Sequence, residues 1–184
     1  MTPRERVAAV PFRRLVWLLP VAFTLHELEE WNILLWYRTQ FVNPPSTSDR
    51  GVHVGLLAIS LLGVLWTAGA CLLPTPRATA LVALPFFVVF VLGNALQHVY
   101  WQLAFGAYAP GVVTSALLII PSVVLLSWHA VRSRLVAPAY LAVLYASSVA
   151  VVFYAVRAGR TVPSGLLAVH AFIEALARHL LGAP

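Results

Sequence analysis

Six long apolar runs, at 15–37, 51–73, 79–104, 111–131, 135–156 and 164–181, decide what this chain can fold into. A helix needs about 20 apolar residues to cross a bilayer, and each run is of that order. The runs are separated by Asn43-Pro44-Pro45-Ser46, Pro74-Thr75-Pro76 and the turn Gly106 to Pro110, all strong breakers. The expected fold is therefore all-α, a polytopic transmembrane bundle of six helices, or five if the last run does not cross. The first run is too long for the core of a signal peptide and no small-residue cleavage site follows it, so an uncleaved span is expected. Pro85 and the prolines of the fourth and fifth runs are expected inside helices that neighbours must accommodate. Composition agrees: of 184 residues 61% are hydrophobic and 10% charged, against roughly a quarter charged in a soluble domain. That excludes a soluble enzyme, and the size suits one membrane domain spanning the whole chain.

The formal net charge of +6 would suggest nucleic acid in a soluble protein, but here all twelve basic residues are Arg, placed mostly between the runs. They read as orientation signals, because cytoplasmic loops are the Arg-rich ones, and no nucleic-acid partner is expected. With the N-terminus inside, the inner side receives Arg4, Arg6, Arg13, Arg14, Arg77, Arg132, Arg134 and, if the last helix spans, Arg178. The outer side receives Arg38, Arg50, Arg157 and Arg160. A cytoplasmic N-terminus follows. The single cysteine, Cys71, permits no internal disulfide and no thiolate cluster.

Of the six acidic residues, Glu27, Glu29, Glu30 and Glu174 fall inside apolar runs. A carboxylate at bilayer depth costs about 2.5–3.5 kcal/mol on insertion scales, which makes such residues functional candidates by default. His26, Glu29 and Glu30 stand at i, i+3 and i+4, on one helix face, while Glu27 points elsewhere. Asn94, Gln97 and His98 repeat the spacing, and His170 and Glu174 stand at i, i+4. At 1.5 Å per residue these groups, with His53, converge on the outer half of the membrane.

Three elements here resemble a known family. His26-Glu27-Leu28-Glu29-Glu30 is similar to the signature of the HXXEE-domain proteins, small bacterial membrane proteins. Asn94-Ala95-Leu96-Gln97-His98 resembles that family's NxxxH element, and Pro110-Gly111 its Pro-Gly turn. The resemblance covers the first four runs and implies a bacterial inner membrane protein; it brings no established activity with it.

The leading expectation is a divalent transition metal, Zn, Fe or Mn, held by His26, Glu30 and His98. Imidazole nitrogen with carboxylate oxygen suits these ions, and an ion's charge offsets that of buried carboxylates. Asn94, Gln97, His53, His170 and Glu174 are expected as further ligands or their supports, and Glu29 and Glu30 as catalytic carboxylates. Together these describe a metal-dependent membrane hydrolase acting on a lipid or other hydrophobic substrate. Four alternatives stay open: a metal-free acid–base isomerase or cyclase, a haem held by pairs among His26, His98 and His170, a proton or ion pathway, and a polar cluster that only joins helices. Trp17, Trp36, Tyr37, Tyr100, Trp101 and Trp128 are expected as interfacial anchors, and His129 and His179 as interfacial. Trp31 is expected to pack against lipid. Gly63, Gly93 and Gly111 are expected to let helices approach closely.

Overall fold

The computed structural model describes residues 10–182; Arg4 and Arg6, with the orientation signal they carry, lie outside that range. The fold is an all-α bundle. The elements in chain order are α1 (Phe12–Leu15), α2 (Leu18–Glu29), α3 (Ile33–Gln40), α4 (Asp49–Cys71), α5 (Pro76–Phe105), α6 (Val112–Arg132), α7 (Pro138–Ala158) and α8 (Ser164–Leu181). Among the described residues, α4 to α8 are long and apolar enough to cross a membrane.

The first run departs from the continuous helix that its hydropathy predicts. It breaks at Glu30 to Asn32, where Glu30 has ψ 4° and Asn32 lies at φ −107°, ψ 22°. Polar side chains that bond to neighbouring groups favour leaving the helix, and non-helical backbone survives at membrane depth only when protein surrounds it. Two further departures are π-helical turns, Phe86–Val91 within α5 and Ser115–Ile119 within α6. The prolines explain part of this. Pro85 cannot donate to the carbonyl four residues back, and that carbonyl, of Leu81, accepts the Tyr140 hydroxyl at 2.8 Å instead. Trp66 Nε1 donates to the Val82 carbonyl at 2.9 Å, and Ser148 Oγ donates to that of Val88. Neighbouring helices thus satisfy the backbone that the irregular stretch of α5 frees. Pro121 follows the π turn of α6, and Pro138 opens α7 instead of interrupting it, since a first-turn position loses no helical bond.

Connections alternate between two ends. At the N-terminal end Arg13 bonds the Leu73 carbonyl, and His129 Nε2 meets the Val10 carbonyl at 2.9 Å. At the other end Val42 N–H donates to Arg160 O, and Asn43 pairs with both backbone groups of Val162. Each end has its own apolar core. Phe12, Leu19, Phe23, Phe87 and Leu126 belong to the first. Trp36, Tyr37, Phe41 and Trp101 belong to the second, so three of the expected interfacial anchors are buried core residues. His129 is likewise buried, packed beside Phe12, while His179 is exposed. Trp31 stacks one face on His53, with ring centroids 3.9 Å apart, and stays exposed over the rest of its surface.

Helix α8 meets α4 at the start of α4. Glu174 Oε2 accepts from the Ser48 N–H at 2.9 Å and from its hydroxyl at 2.8 Å, while Ser48 Oγ caps α4 through Gly51 N–H. A Cβ on Gly51 would overlap Glu174, and one on Gly55 would overlap Ile173. Beyond Glu174 only seven residues of α8 remain, about 10 Å, whereas α4 continues for twenty residues past Gly51, about 30 Å. Helix α8 therefore ends well short of the far end of α4. Arg178 pairs with Glu174 at 3.0 Å, so it belongs near the 39–50 loop and not, as a sixth crossing requires, at the N-terminal end.

Candidate functional site

Between the two apolar cores lies a buried polar cluster. His26 is the last-turn residue of α2 and Glu30 closes that helix, so the carboxylate turns back over His26: Nε2 to Oε1 is 2.7 Å. From α5, His98 Nε2 reaches the same Glu30 oxygen at 2.9 Å. Asn94 Nδ2 lies 3.0 Å from His26 Nε2 and 3.4 Å from Glu30 Oε1. Phe23 stacks over His26 on one side and Trp101 meets His98 edge-on at 5.1 Å on the other. Both histidines are sealed from solvent, at 0% and 1% exposure.

Helix α6 closes the cluster with backbone. Gly111 holds φ +91°, and a Cβ there would stand 2.7 Å from His26 Cε1 and 3.1 Å from both Glu30 Oε1 and His98 Nδ1. No other residue type fits. Three residues on, Thr114 Oγ1 lies 2.6 Å from Glu29 Oε2 and 3.0 Å from His26 Nδ1. A hydroxyl has one hydrogen, and the shorter contact, to a carboxylate, takes it. Thr114 then accepts from His26 Nδ1–H. Glu29 is fixed in turn by the backbone N–H groups of Val113 and Thr114, at 3.1 and 2.8 Å, and by the Tyr108 hydroxyl.

The chain from Glu29 through Thr114 to His26 sets the tautomer of His26. The neutral ring keeps a lone pair on Nε2, facing a Glu30 oxygen at 2.7 Å. Two acceptors at that distance are favourable only with a proton or a cation between them. His26, Glu30 and His98 each offer one ligand atom, all within 4.8 Å of one another, and form a group that can hold a metal ion. Bonds of about 2.0–2.2 Å to one ion need ligand atoms roughly 3.4 Å apart in tetrahedral geometry, an opening of some tenths of an ångström.

A cavity of ≈ 760 Å³ runs from this cluster along α4 and α5. Glu30 and Asn94 line its polar end, together with Glu27, Tyr37, Gln97 and His170. The rest is apolar, with Ile59, Leu62, Trp66, Phe86 and Phe90 among its walls. Glu27, which helical spacing turns away from His26, is buried at 6% exposure and faces this cavity. It makes no hydrogen bond among the described residues.

The expected further ligands therefore separate. Asn94 stands at the cluster; Gln97 and His170 line the cavity, with His170 also against Tyr37 at 5.7 Å. His53 stacks on Trp31 and contacts its carbonyl at 3.0 Å, and Glu174 binds Ser48 and Arg178. Neither of these two joins the ligand group. Glu29 is not a spare carboxylate beside it either, because donors from α6 and its preceding turn occupy both oxygens. Thr114 is the residue that sequence reasoning missed. Its signal is the hydroxyl pair Thr114-Ser115 in an otherwise apolar run, directly after Pro110-Gly111.

Residues 17–126 match the family described as protein of unknown function with HXXEE motif. The chain belongs to this HXXEE family. The matched segment carries His26, Glu29, Glu30, Asn94, His98, Gly111 and Thr114, the whole buried cluster, and excludes α7 and α8. His170 and Glu174 thus lie outside the matched segment. Neither the curated proteins nor the solved structures contain a match to this chain.

Proposed function

We propose that this HXXEE protein is a membrane-embedded, metal-dependent enzyme, a hydrolase of a lipid or other hydrophobic substrate, with a divalent transition metal on His26, Glu30 and His98. The observation that carries the reading is the 2.7 Å approach of a carboxylate oxygen to a histidine nitrogen whose other nitrogen already donates to Thr114. A hydrogen-bonded carboxylate behind a histidine is the usual way to aim a ligand and raise its basicity. When bound, a divalent ion with a free position polarises a carbonyl and activates water near neutral pH.

The chain's own groups supply the rest. Asn94, donating to Glu30 Oε1, holds that carboxylate in place beside His26. Glu27 faces the cavity unpaired and takes the proton-handling role that spacing alone gives to Glu29. The apolar walls exclude bulk water and bring the reacting bond of a hydrophobic substrate to Glu30. The haem reading loses ground on geometry: both His26 Nε2 and His98 Nε2 meet one Glu30 oxygen, which leaves no room for a macrocycle between them.

The test is elemental analysis of detergent-purified protein. Wild type should carry close to one equivalent of a transition metal. His26→Ala, Glu30→Gln and His98→Ala should each lose it, and combining them should cost little more, since ligands of one ion act as a unit. A metal-free wild type, after purification without chelator and resupply of Zn, Fe or Mn, overturns the metal reading in favour of the acid–base enzyme.

A further inference from the structure

We infer that the cavity is the binding site for one uncharged, single-chain lipid, lying with its polar group beside Glu30 and its hydrocarbon toward Trp66 and Pro85. The inference rests on reading the cavity as the substrate site of the proposed enzyme, and it names the class of substrate.

Shape comes first. The lining residues run from Val52 to Trp66 on α4 and from Gln97 back to Pro85 on α5. At 1.5 Å per residue both walls are about 20 Å long, somewhat more than half of a hydrocarbon core about 30 Å thick. A volume of ≈ 760 Å³ over that length is a narrow slot, able to hold roughly twenty to twenty-five non-hydrogen atoms at about 30 Å³ each. One extended chain fits, and two chains with a phosphoglycerol head do not.

The polar end then selects the head group. Glu27, Tyr37, Gln97 and His170 all line it, and none of the four side chains makes a hydrogen bond to another described residue. The Nδ1 of His170 is buried without a partner. These groups offer both donors and acceptors to a hydroxyl, ester or amide. None of the described arginines lines the cavity, and the chain contains no lysine. Even with a divalent ion on Glu30, whose charge that carboxylate half neutralises, a phosphate monoester would find no arginine or lysine in the lining for its remaining charge and would lie beside Glu27, which is unfavourable. A cationic head would compete with the ion for Glu30. An uncharged head meets neither penalty.

The experiment uses three photoreactive amphiphiles with one long alkyl chain in common, bearing a diazirine on the chain and an alcohol, a phosphate monoester or a trimethylammonium as head. After irradiation of the purified full-length protein, labelled residues are mapped by mass spectrometry. The alcohol should label cavity walls such as Leu62 and Phe86 saturably. The two charged probes should label them at least about tenfold less, the equivalent of 1.4 kcal/mol. Val89→Trp, which fills the slot without touching His26, Glu30 or His98, should abolish the label; Leu56→Trp does the same from the opposite wall should the first variant fail to fold. Equal labelling by either charged probe, or labelling unchanged in a folded filled variant, overturns the inference. Metal content is measured in the same samples. Saturable alcohol labelling of metal-free protein sinks the metal reading and leaves this inference standing, and a metal-loaded protein without cavity labelling does the reverse.

Discussion

At the scale of single residues, the cluster depends on contacts that leave almost no tolerance. Gly111→Ala adds a methyl group at a backbone angle of φ +91° and within 2.7 Å of the His26 ring. It should cost at least about 1 kcal/mol of stability, read as a lowered Tm, and should release metal. Thr114→Val keeps the shape and removes the hydroxyl between Glu29 and His26, so metal affinity should fall about 10- to 100-fold in a chelator competition while the fold survives. Wild-type affinity in that variant would show that the hydroxyl does not set the tautomer. Tyr108, in the turn before α6, has its pKa pushed up to about 12, first by donating to Glu29 and then by burial and the neighbouring charge. Since the protonated phenol is the bonded form, its contribution to stability is complete below the free value near 10 and is lost as pH climbs from there to about 12. An ultraviolet titration of wild type minus Tyr108→Phe should show that raised midpoint. Much at this scale was legible beforehand: a helical period of 3.6 puts His26 and Glu30 on one face, and Asn94 and His98 share another. Glu27 was not, because spacing gives the face of a side chain and not what lies opposite, and opposite Glu27 lies the cavity.

Among the elements, the irregular ones flank the chemistry. The π turn of α5 ends three residues before Asn94, and that of α6 begins one residue after Thr114. Each inserts a residue relative to regular helix and so rotates the side chains that follow it, a device common at functional sites. Periodicity assumes a constant 100° per residue and cannot see such turns, nor the break after Glu30 that divides the first run. Pro85 was the visible clue to one of them. Helix α8 is attached differently, by Glu174 to the cap of α4 and by Ile173 in the gap at Gly55. Glu174→Gln should therefore retain its metal and instead speed hydrogen exchange over 164–181 by weakening the hold of α8. Loss of metal in that variant would put Glu174 in the ligand sphere, against its bonds to Ser48.

For the molecule as a whole, the position of α8 changes the expected topology. We expect five crossings, because α8 lies against the start of α4 and so ends on the same side as the 39–50 loop. In a Cys71→Ser background, Ser46→Cys and His179→Cys should both react with an impermeant thiol reagent in intact cells, and Thr75→Cys should not. Labelling of Ser46→Cys without His179→Cys would restore the sixth crossing. Hydropathy gave all six apolar runs their places within a few residues, but it counts length and composition alone. Where a helix sits along the membrane normal is set by what it packs against, here two glycines and a capped serine.

The slot between α4 and α5 has its polar end toward the 39–50 loop and its apolar end toward Trp66 and Pro85, the sense in which a lipid stands in the leaflet on that side. A molecule can therefore enter sideways without turning over and without leaving the membrane. Each turnover of the proposed enzyme would draw its substrate from one monolayer only, so the two faces of the bilayer would be depleted unequally.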